Sequence, residues 1–501
     1  MSREVILRGA TALLGDDFSY DGKPRDIQLA NGRIKAIAAA GSLVNGQVID
    51  LAGRMLAPGL INGHFHSNEH FQKGCIENLP LELWVHHIRT PIPIVLTPRQ
   101  VYLRTLIGSI EALRTGTTTV LDDLALGGAI NRENLNAVFQ AYADVGIRAL
   151  VGFGMMTRSF VDNFPFADQE FPPVLLNELR RQHQPPAAQD LLDLCREIAK
   201  THHPRSNRVG LAISASAPQR CSDQFLLACR EMADAFDLPM VTHVHESRMQ
   251  VVTGGLFYGK PMVEHLRDIG FLSPRVTLIH AVWLNPREID ALAKSGATVQ
   301  HNAWCNLMLG SGLQPVRPLL DAGINLSLGS DGTCSSMTAN MLAVLGSAAA
   351  LSKLRGDDYT QWLSAKEVFT AATRGAARAF GFGSELGVIE VGAIADLVGY
   401  RLDALAFTPL NNPLRQLVYA ERGAGVDFSM VDGNITMQKG RLTKIDEPTI
   451  IEEIGREHAR VKPQFESTKS AIMPILNAME QIYRRSLATP IPSDTYAARL
   501  A

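Results

Sequence analysis

Through the middle of the chain, short apolar runs alternate with longer stretches of helical periodicity. The runs are MLAPGLING (55–63), TTTVLDD (117–123), IRALVGFGM (147–155), RVGLAISAS (208–216), LPMVTHVH (238–245), RVTLIHA (275–281), ATVQHNA (297–303) and INLSLGSD (324–331). Between them, PRQVYLRTLIGSIEALRTG (98–116), NRENLNAVFQAYADVG (131–146) and SDQFLLACREMADAFD (222–237) carry apolar residues at helical spacing. Continuous apolar strands with helical crossovers predict an α/β fold whose parallel sheet is covered on both faces. Eight such units in about 330 residues predict a closed (β/α)8 TIM barrel. An open doubly wound sheet would carry a Gly-rich phosphate turn after its first strand, and PGLINGHFH is not one.

The flanks have another texture. EVILRGATAL, RDIQLANGRIKAIAA and GQVIDLAGRML read as short strands, with NGR as a hairpin turn. Short strands return in LGVIEVGAIADLVGY and FSMVDGNITMQKGRL, with DGN as a second turn. Near the C-terminus Ile472, Ile475, Leu476, Met479, Ile482 and Tyr483 repeat at helical spacing, with Pro474 tolerable in the first turn. That pattern predicts an amphipathic helix packing on its own chain or on a second subunit.

Composition narrows the class. A chain of 501 residues exceeds one typical domain, and 46% hydrophobic with 20% charged residues is ordinary for a globular protein. A formal net charge of −2 without long single-sign runs argues against nucleic acid or an anionic membrane as partner. No secretory h-region and no apolar stretch of about 18 residues is present, so a cytoplasmic protein is expected. The cysteines, at 75, 195, 221, 229, 305 and 334, form no Cys-x-x-Cys and are expected reduced and mostly buried.

Two His-x-His pairs occur, His64/His66 and His243/His245. With 14 His in the chain, chance gives about 0.4 such pairs, so a pair alone says little. Their context says more. The predicted strands end in His64 and His66, in His243, His245 and Glu246, in His280, in His301 and in Asp331. A barrel brings strand ends to one rim, where catalytic groups sit. Side chains two apart on a strand share a face, so His64 and His66 can reach one ion. A histidine from the fifth strand and a carboxylate from the eighth complete a nitrogen-rich site suited to one divalent ion, Zn²⁺ or Fe²⁺, with a position open for water.

PGLINGHFH, THVHES, RVTLIHA, VQHNAWCN and LSLGSDG resemble the metal-dependent amidohydrolase superfamily. The resemblance is greatest to its branch of chlorohydrolases and aminohydrolases acting on triazines, guanine, cytosine and adenosine-like compounds. It spans nearly the whole chain and implies a β-sandwich split across the barrel. The expected division is 1–57 and 386–445 for the sandwich, 58–385 for the barrel and 446–501 for a helical extension. The resemblance implies His64, His66, His243 and Asp331 as ligands of one metal. His243 is preferred to His245 because Glu246 then stands at the family's spacing of three. Asp331 would take the proton of the attacking water, Glu246 would address a ring nitrogen, and His280 would orient the nucleophile. Trp84, His301, Trp304 and Asn306 are expected at the substrate. The implied reaction displaces an amine or similar leaving group from a small-molecule N-heterocycle. An amide or urea-type C–N hydrolase, or a dechlorinase with the same mononuclear site, is the alternative. Homo-oligomers, dimer or tetramer, are implied.

Strand four, RVGLAISASAPQR, has no Lys, Asp or Glu to bridge a second metal, which predicts a mononuclear centre. The strand-seven segment HNAWCN departs from the family's His-x-Pro-x-Ser-Asn at Ala303 and Cys305, which alters the pocket wall. His70, His86 and His87 are expected to be mostly solvated, and Glu111 structural. Residues 157–190 read as a long insertion that contributes to specificity.

Overall fold

A computed structural model describes residues 4–90, 94–125, 130–182, 184–496 and 498–499. The N-terminal segment supplies β1 (Val5–Ala12), β2 (Arg25–Ala30), β3 (Arg33–Ala39), β4 (Gln47–Asp50) and β5 (Arg54–Pro58). The β2–β3 hairpin turns at Asn31–Gly32, both at positive φ, as its Asn-Gly signal requires. The central strands are β6 (Leu60–His66), β7 (Thr117–Leu124), β8 (Arg148–Phe153), β9 (Val209–Leu211), β10 (Ile213–Ser214), β11 (Met240–Val244), β12 (Val276–His280), β13 (Thr298–His301), β14 (Asn325–Leu328) and β15 (Asp331–Gly332). After them come β16 (Leu397–Arg401), β17 (Val426–Val431), β18 (Asn434–Gln438) and β19 (Arg441–Leu442).

The first five and last four strands form one mixed sheet in the order β19-β18-β17-β16-β5-β1-β2-β3, with β4 paired to β1. The central strands form two parallel sheets, β15-β6-β7-β8-β9 and β10-β11-β12-β13-β14. This is the predicted α/β alternation. Three predicted runs are each divided. The first falls at Gly59 into β5 of the mixed sheet and β6 of the parallel one. The fourth breaks at Ala212, and the eighth before Asp331. An apolar run cannot signal such breaks, because burial on both faces continues through them. The helices Pro98–Arg114, Arg132–Val145 and Asp223–Ala235 fall where periodicity predicts them, and Thr97, Asn131 and Ser222 cap them by accepting from backbone amides.

One buried cluster joins the two parallel sheets. Ile61, Leu121, Leu150, Ala212, Val241 and Ile279 meet Ala376, Phe380 and Phe382 there. It fills one end of the strand array and leaves the other end to polar groups.

The C-terminal region reaches that polar end. A helix, Glu447–Ala471, is followed by Met473–Ala488, whose Ile475, Ala478, Met479 and Ile482 pack on Val161, Phe164, Phe171, Leu176 and Leu179 of the insertion. The amphipathic face is thus covered within the chain. The insertion is helical rather than loop over Ala167–Glu170 and Pro173–Gln182. Beyond Ala488 the tail crosses the strand ends. Tyr496 N–H donates to Leu284 O at 2.8 Å, and Ala498 O accepts from Leu313 N–H at 2.7 Å. Among the described residues no helix is long and apolar enough to cross a membrane. Cys195, Cys221, Cys229, Cys305 and Cys334 are buried thiols and Cys75 is exposed.

The mixed sheet is tied to the parallel strands by one buried ion pair. Arg148, at the start of β8, sets its Nε 2.9 Å from Asp396 Oδ2 and its Nη2 3.1 Å from Oδ1. Asp396 also accepts from Asp432 N–H at 2.6 Å. Removing one partner of such a pair leaves an uncompensated buried charge. Arg148→Ala is therefore predicted to lower stability by about 3–5 kcal/mol, read from the urea midpoint. A loss below about 1 kcal/mol, the range of exposed pairs, would show that the pair is dispensable.

Candidate functional site

His64 and His66 lie on β6 and point the same way, their ring centroids 4.6 Å apart. The backbone between β6 and its neighbours is crowded: a Cβ on Gly63 would overlap the side chains of Ser327 and Gln300. His243, on β11, brings its ring centroid to 4.9 Å from that of His64. Asp331 opens β15, which pairs with β6 so that Asp331 stands opposite Phe65. Asp331 Oδ1 is 3.3 Å from His66 Nε2 and 3.7 Å from His64 Nε2, and its Oδ2 is 3.4 Å from His280 Nε2. The potential ligand atoms of His64, His66 and His243 form one set lying within 4.8 Å of one another, and those of His64, His280 and Asp331 form a second such set.

Each imidazole except His64 is oriented by its second ring nitrogen. His243 Nδ1 donates to Ser216 O at 2.8 Å, and His66 Nδ1 to the carbonyl of Asp123. His280 Nδ1 donates to Asn306 Oδ1 at 2.9 Å, while Gln314 holds the His280 carbonyl. These bonds turn Nε2 of all three inward. On the carboxylate side, Gly332 N–H donates to Asp331 Oδ1 at 2.7 Å and Asn302 Nδ2 to Oδ2 at 3.3 Å. Asp331 and His280 both have positive φ, as do Ala281 and His245. Non-glycine residues held there store strain, which persists only where the surroundings impose it.

His64 tests whether a cation fits. Both of its ring nitrogens are buried without a hydrogen-bond partner among the described residues. Burial, then the nearby His66, His243 and His280, push its pKa well below the usual imidazole value. His243 is likewise pushed down by burial and by His280 and His66. Neutral imidazoles with free nitrogens are what a divalent ion binds. At His66 burial acts downward, but Asp331, Glu69 and Asp123 outweigh it and raise the pKa to about 9; a cation there displaces that proton. The donor set of imidazoles and one carboxylate, with no thiolate among them, fits a borderline divalent metal.

Glu246 and His280 face this cluster, with Glu246 Oε2 3.5 Å from His280 Nε2. Burial raises the Glu246 carboxyl to about 7, against the opposing pull of His280. His245 is elsewhere. It leaves the end of β11, its Nε2 lies 2.9 Å from Glu288 Oε1, and it meets Met262 N–H. His301 is buried with its Nδ1 unpartnered, and burial then His280 lower its pKa to about 3. Asn306 touches His280, as above. Trp84 is buried among Val85, Cys305, Leu309 and Cys334, with its Nε1 unpartnered. Trp304 is one-third exposed, at 36%. Strand four presents Ser214 and Ser216 and no carboxylate or lysine.

The solvated histidines are a correction. His70 and His86 are buried; His70 Nδ1 donates to Ser67 O at 2.9 Å, and His86 packs against Phe160 and Phe164. A histidine in a polar loop sequence carries no sign of the aromatic insertion that covers it. Glu111 accepts from Thr338 Oγ1 and Ala339 N–H, tying the segment after Asp331 in place. Other groups escaped the sequence reading. Glu69, directly after β6, is buried, is raised to about 7 by burial, and accepts from Cys334 N–H at 3.1 Å. Its carboxylate lies against Gly332, where any Cβ would collide with it. Asp123 Oδ2 is 3.8 Å from His243 Nδ1. The Asp-Asp ending TTTVLDD was the available signal for Asp123; HSNEH held none for Glu69.

The sequence profile of the amidohydrolase family matches residues 55–436. The chain is 32% identical to a 5'-deoxyadenosine deaminase of Methanothermobacter thermautotrophicus over 405 residues, 81% of this chain and 87% of that protein. It is 33% identical to a 5-methylthioadenosine/S-adenosylhomocysteine deaminase of Nitratidesulfovibrio vulgaris, covering 90% and 96% of the two chains. A crystal structure of an adenosine deaminase from Xanthomonas campestris with bound zinc superposes with a TM-score of 0.78 at 27% identity, covering 92% and 99%.

Two substitutions separate the neighbouring histidines. His64→Ala is predicted to reduce zinc content, measured by mass spectrometry on dialysed protein, to near zero. His245→Ala is predicted to keep zinc but lose about 1–3 kcal/mol of stability, because Glu288 and the Met262 amide lose their partner. Zinc lost from the His245 variant and retained in the His64 variant would reverse their roles.

Proposed function

The chain belongs to the amidohydrolase family, and from that premise we propose that it is a metal-dependent aminohydrolase that removes ammonia from an adenosine-type or related aminated N-heterocycle. The observation that carries the reading is the juxtaposition of Glu246 and Asp331 at His280, beside a buried histidine with no hydrogen-bond partner among the described residues. In this reading the two parallel sheets close into a (β/α)8 barrel and the mixed sheet forms the accessory sandwich. Zinc is the preferred metal, held by His64, His66, His243 and Asp331 in a mononuclear centre. Once bound, the cation supplies Lewis acidity that lets water ionise near neutral pH.

The chain's own groups do the rest. Asp331 receives the water proton on a carboxylate oxygen and later delivers it to the departing amine. Its fixed position follows from the Gly332 and Asn302 hydrogen bonds. Glu246, protonated, donates to a ring nitrogen and draws electron density from the carbon under attack. His280 is oriented by Asn306 so that its Nε2 faces the reacting groups, where it can accept a hydrogen bond from the attacking water and hold it in line with the ring carbon. The C–N bond then breaks, and ammonia leaves with the proton carried by Asp331. Loop, insertion and C-terminal tail exclude bulk water from these steps.

Two outcomes test the reading. Asp331→Asn is predicted to release no ammonia from adenosine-type substrates at a detectable rate, a loss of about 10³-fold or more, while wild-type protein does. Ammonia release by that variant at the wild-type rate would overturn the assignment. Because the carboxyl of Glu246 is raised to about 7, its donor form is present below that pH and is lost above it. The profile of kcat/KM is therefore predicted to fall on the alkaline side of about pH 7. Glu246→Gln, which keeps a donor that does not titrate, is predicted to be slower and to lack that limb. An unchanged limb in the variant would assign it to another group.

A further inference from the structure

The last described residues of the chain, 489–496 and 498–499, form no helix or strand, yet they are fastened at both ends. At the near end Arg248 Nη2 donates to Thr489 O at 2.6 Å, and Arg287 Nη1 lies 3.1 Å from Asp494 Oδ2. At the far end Ala498 is 1% exposed and packs with Val251, Val282 and Trp283 in one apolar cluster. Its carbonyl accepts from Leu313 N–H at 2.7 Å, and Tyr496 N–H donates to Leu284 O at 2.8 Å. Arg499 Nη2 donates to Gly310 O. Gly312 has φ +122°, and a Cβ there would stand 2.6 Å from Ala498 O and 2.8 Å from Ala498 Cβ. This tail lies beyond residue 436, where the family match ends.

Each element that Ala498 touches leads to a group at the polar end. Val251 lies in the helix Arg248–Tyr258, which begins just after Glu246. Val282 and Trp283 follow His280, and their N–H groups donate to His245 O at 3.0 and 3.2 Å, joining the ends of β11 and β12. Leu313 precedes Gln314, whose Nε2 donates to His280 O. Trp283 Nε1 donates to Ser311 O at 2.9 Å, and Ser311 N–H donates to Asn306 O at 2.8 Å. Asn306 in turn accepts from His280 Nδ1 at 2.9 Å. His280 is thus held on its main-chain side and on its ring side by residues 281–284 and 306–314, and the tail bridges those two segments. The hold is needed because His280 and Ala281 both have positive φ, at 72° and 44°. Non-glycine residues stay in that conformation only where the surroundings impose it.

We infer that the tail is a positioning strap: with Ala498 as its buried pin, it fixes the two segments that orient His280. The inference rests on the proposed aminohydrolase reading and adds to it a part of the chain outside the proposed ligand set. Misplacing by 1 Å a group that orients the attacking water lowers the rate by up to about 100-fold. The strap acts on turnover and not on metal content. The proposed ligands are carried by β6, β11 and β15, and their own hydrogen bonds run to Ser216, Asp123, Gly332 and Asn302.

The test uses the full zinc-containing chain and three variants. Ala498→Arg puts a charge into the apolar cluster, Gly312→Ala sets a Cβ against the Ala498 carbonyl, and Ala498→Gly keeps that carbonyl and adds no bulk. Backbone hydrogen exchange, zinc content and the kinetics of ammonia release from adenosine are measured for each. In Ala498→Arg and Gly312→Ala, exchange is expected to rise over 281–284 and 306–314 but not over 60–66, with zinc retained. In the same two variants kcat is expected to fall about 10- to 100-fold while KM stays near the wild-type value. Ala498→Gly is expected to turn over like the wild type. A wild-type kcat in a variant whose two segments have become exchangeable overturns the strap. So does exchange that rises along the whole chain with zinc lost, the mark of a general structural role. Exchange unchanged in both disruptive variants overturns it too, because the packing around Ala498 would then tolerate a charge and a collision. If the wild type releases no ammonia from adenosine, the aminohydrolase reading fails for that compound and exchange alone decides the strap. A rise confined to the two segments then sustains it, and any other pattern overturns it.

Discussion

A buried imidazole with no hydrogen-bond partner among the described residues is the constraint on which the site depends. His64 is fully enclosed, both its nitrogens are unsatisfied, and three more imidazoles surround it. An unsatisfied buried polar group costs on the order of 1–3 kcal/mol, and clustered histidines cannot relieve it by protonating together. A shared cation, as proposed above, would relieve all of them at once. The hydrogen bonds that His243, His66 and His280 donate to Ser216, Asp123 and Asn306 turn those three rings inward toward the place such a cation would take.

The rest of the fold serves to hold these groups where they conflict. Five strand-borne side chains, Ala212 at the break between β9 and β10, and two phenylalanines seal one end of the parallel sheets with apolar packing. The other end carries the polar cluster, with strained φ values at His280 and Asp331 maintained by that rigid base. Insertion and C-terminal helix pack on each other rather than on solvent, and the tail hydrogen-bonds to loops after β12 and β13. The result is a low-dielectric enclosure in which carboxyls such as Glu69 and Glu246 rise to about 7.

Much of this was legible in the sequence because burial on both faces writes parallel strands as apolar runs. The polar residues that end those runs then stand out, which is how His64, His66, His243, His280 and Asp331 became visible. Choosing His243 over His245 required the resemblance, since strand alternation treats the two alike. In the structure His245 leaves β11 with positive φ and turns to Glu288, an event no alternation rule foresees. The unforeseen residues share a cause. Glu69, His70 and His86 lie in the segment that reads as a long loop after the first strand, and each is buried by residues distant in sequence: Glu69 against Gly332 and Cys334, His70 against Gly108, and His86 against Phe160 and Phe164. Long-range cover of that kind leaves no local periodicity.

The account's central claim is that His64, His66, His243 and Asp331 share one cation. X-ray absorption at the zinc edge reads that directly on the intact protein. The account predicts a shell of nitrogen and oxygen atoms only, with multiple imidazole scattering, at about 2.0–2.2 Å. A sulfur shell at about 2.3 Å, or a spectrum unaltered when Asp331 and His64 are both replaced, would contradict it.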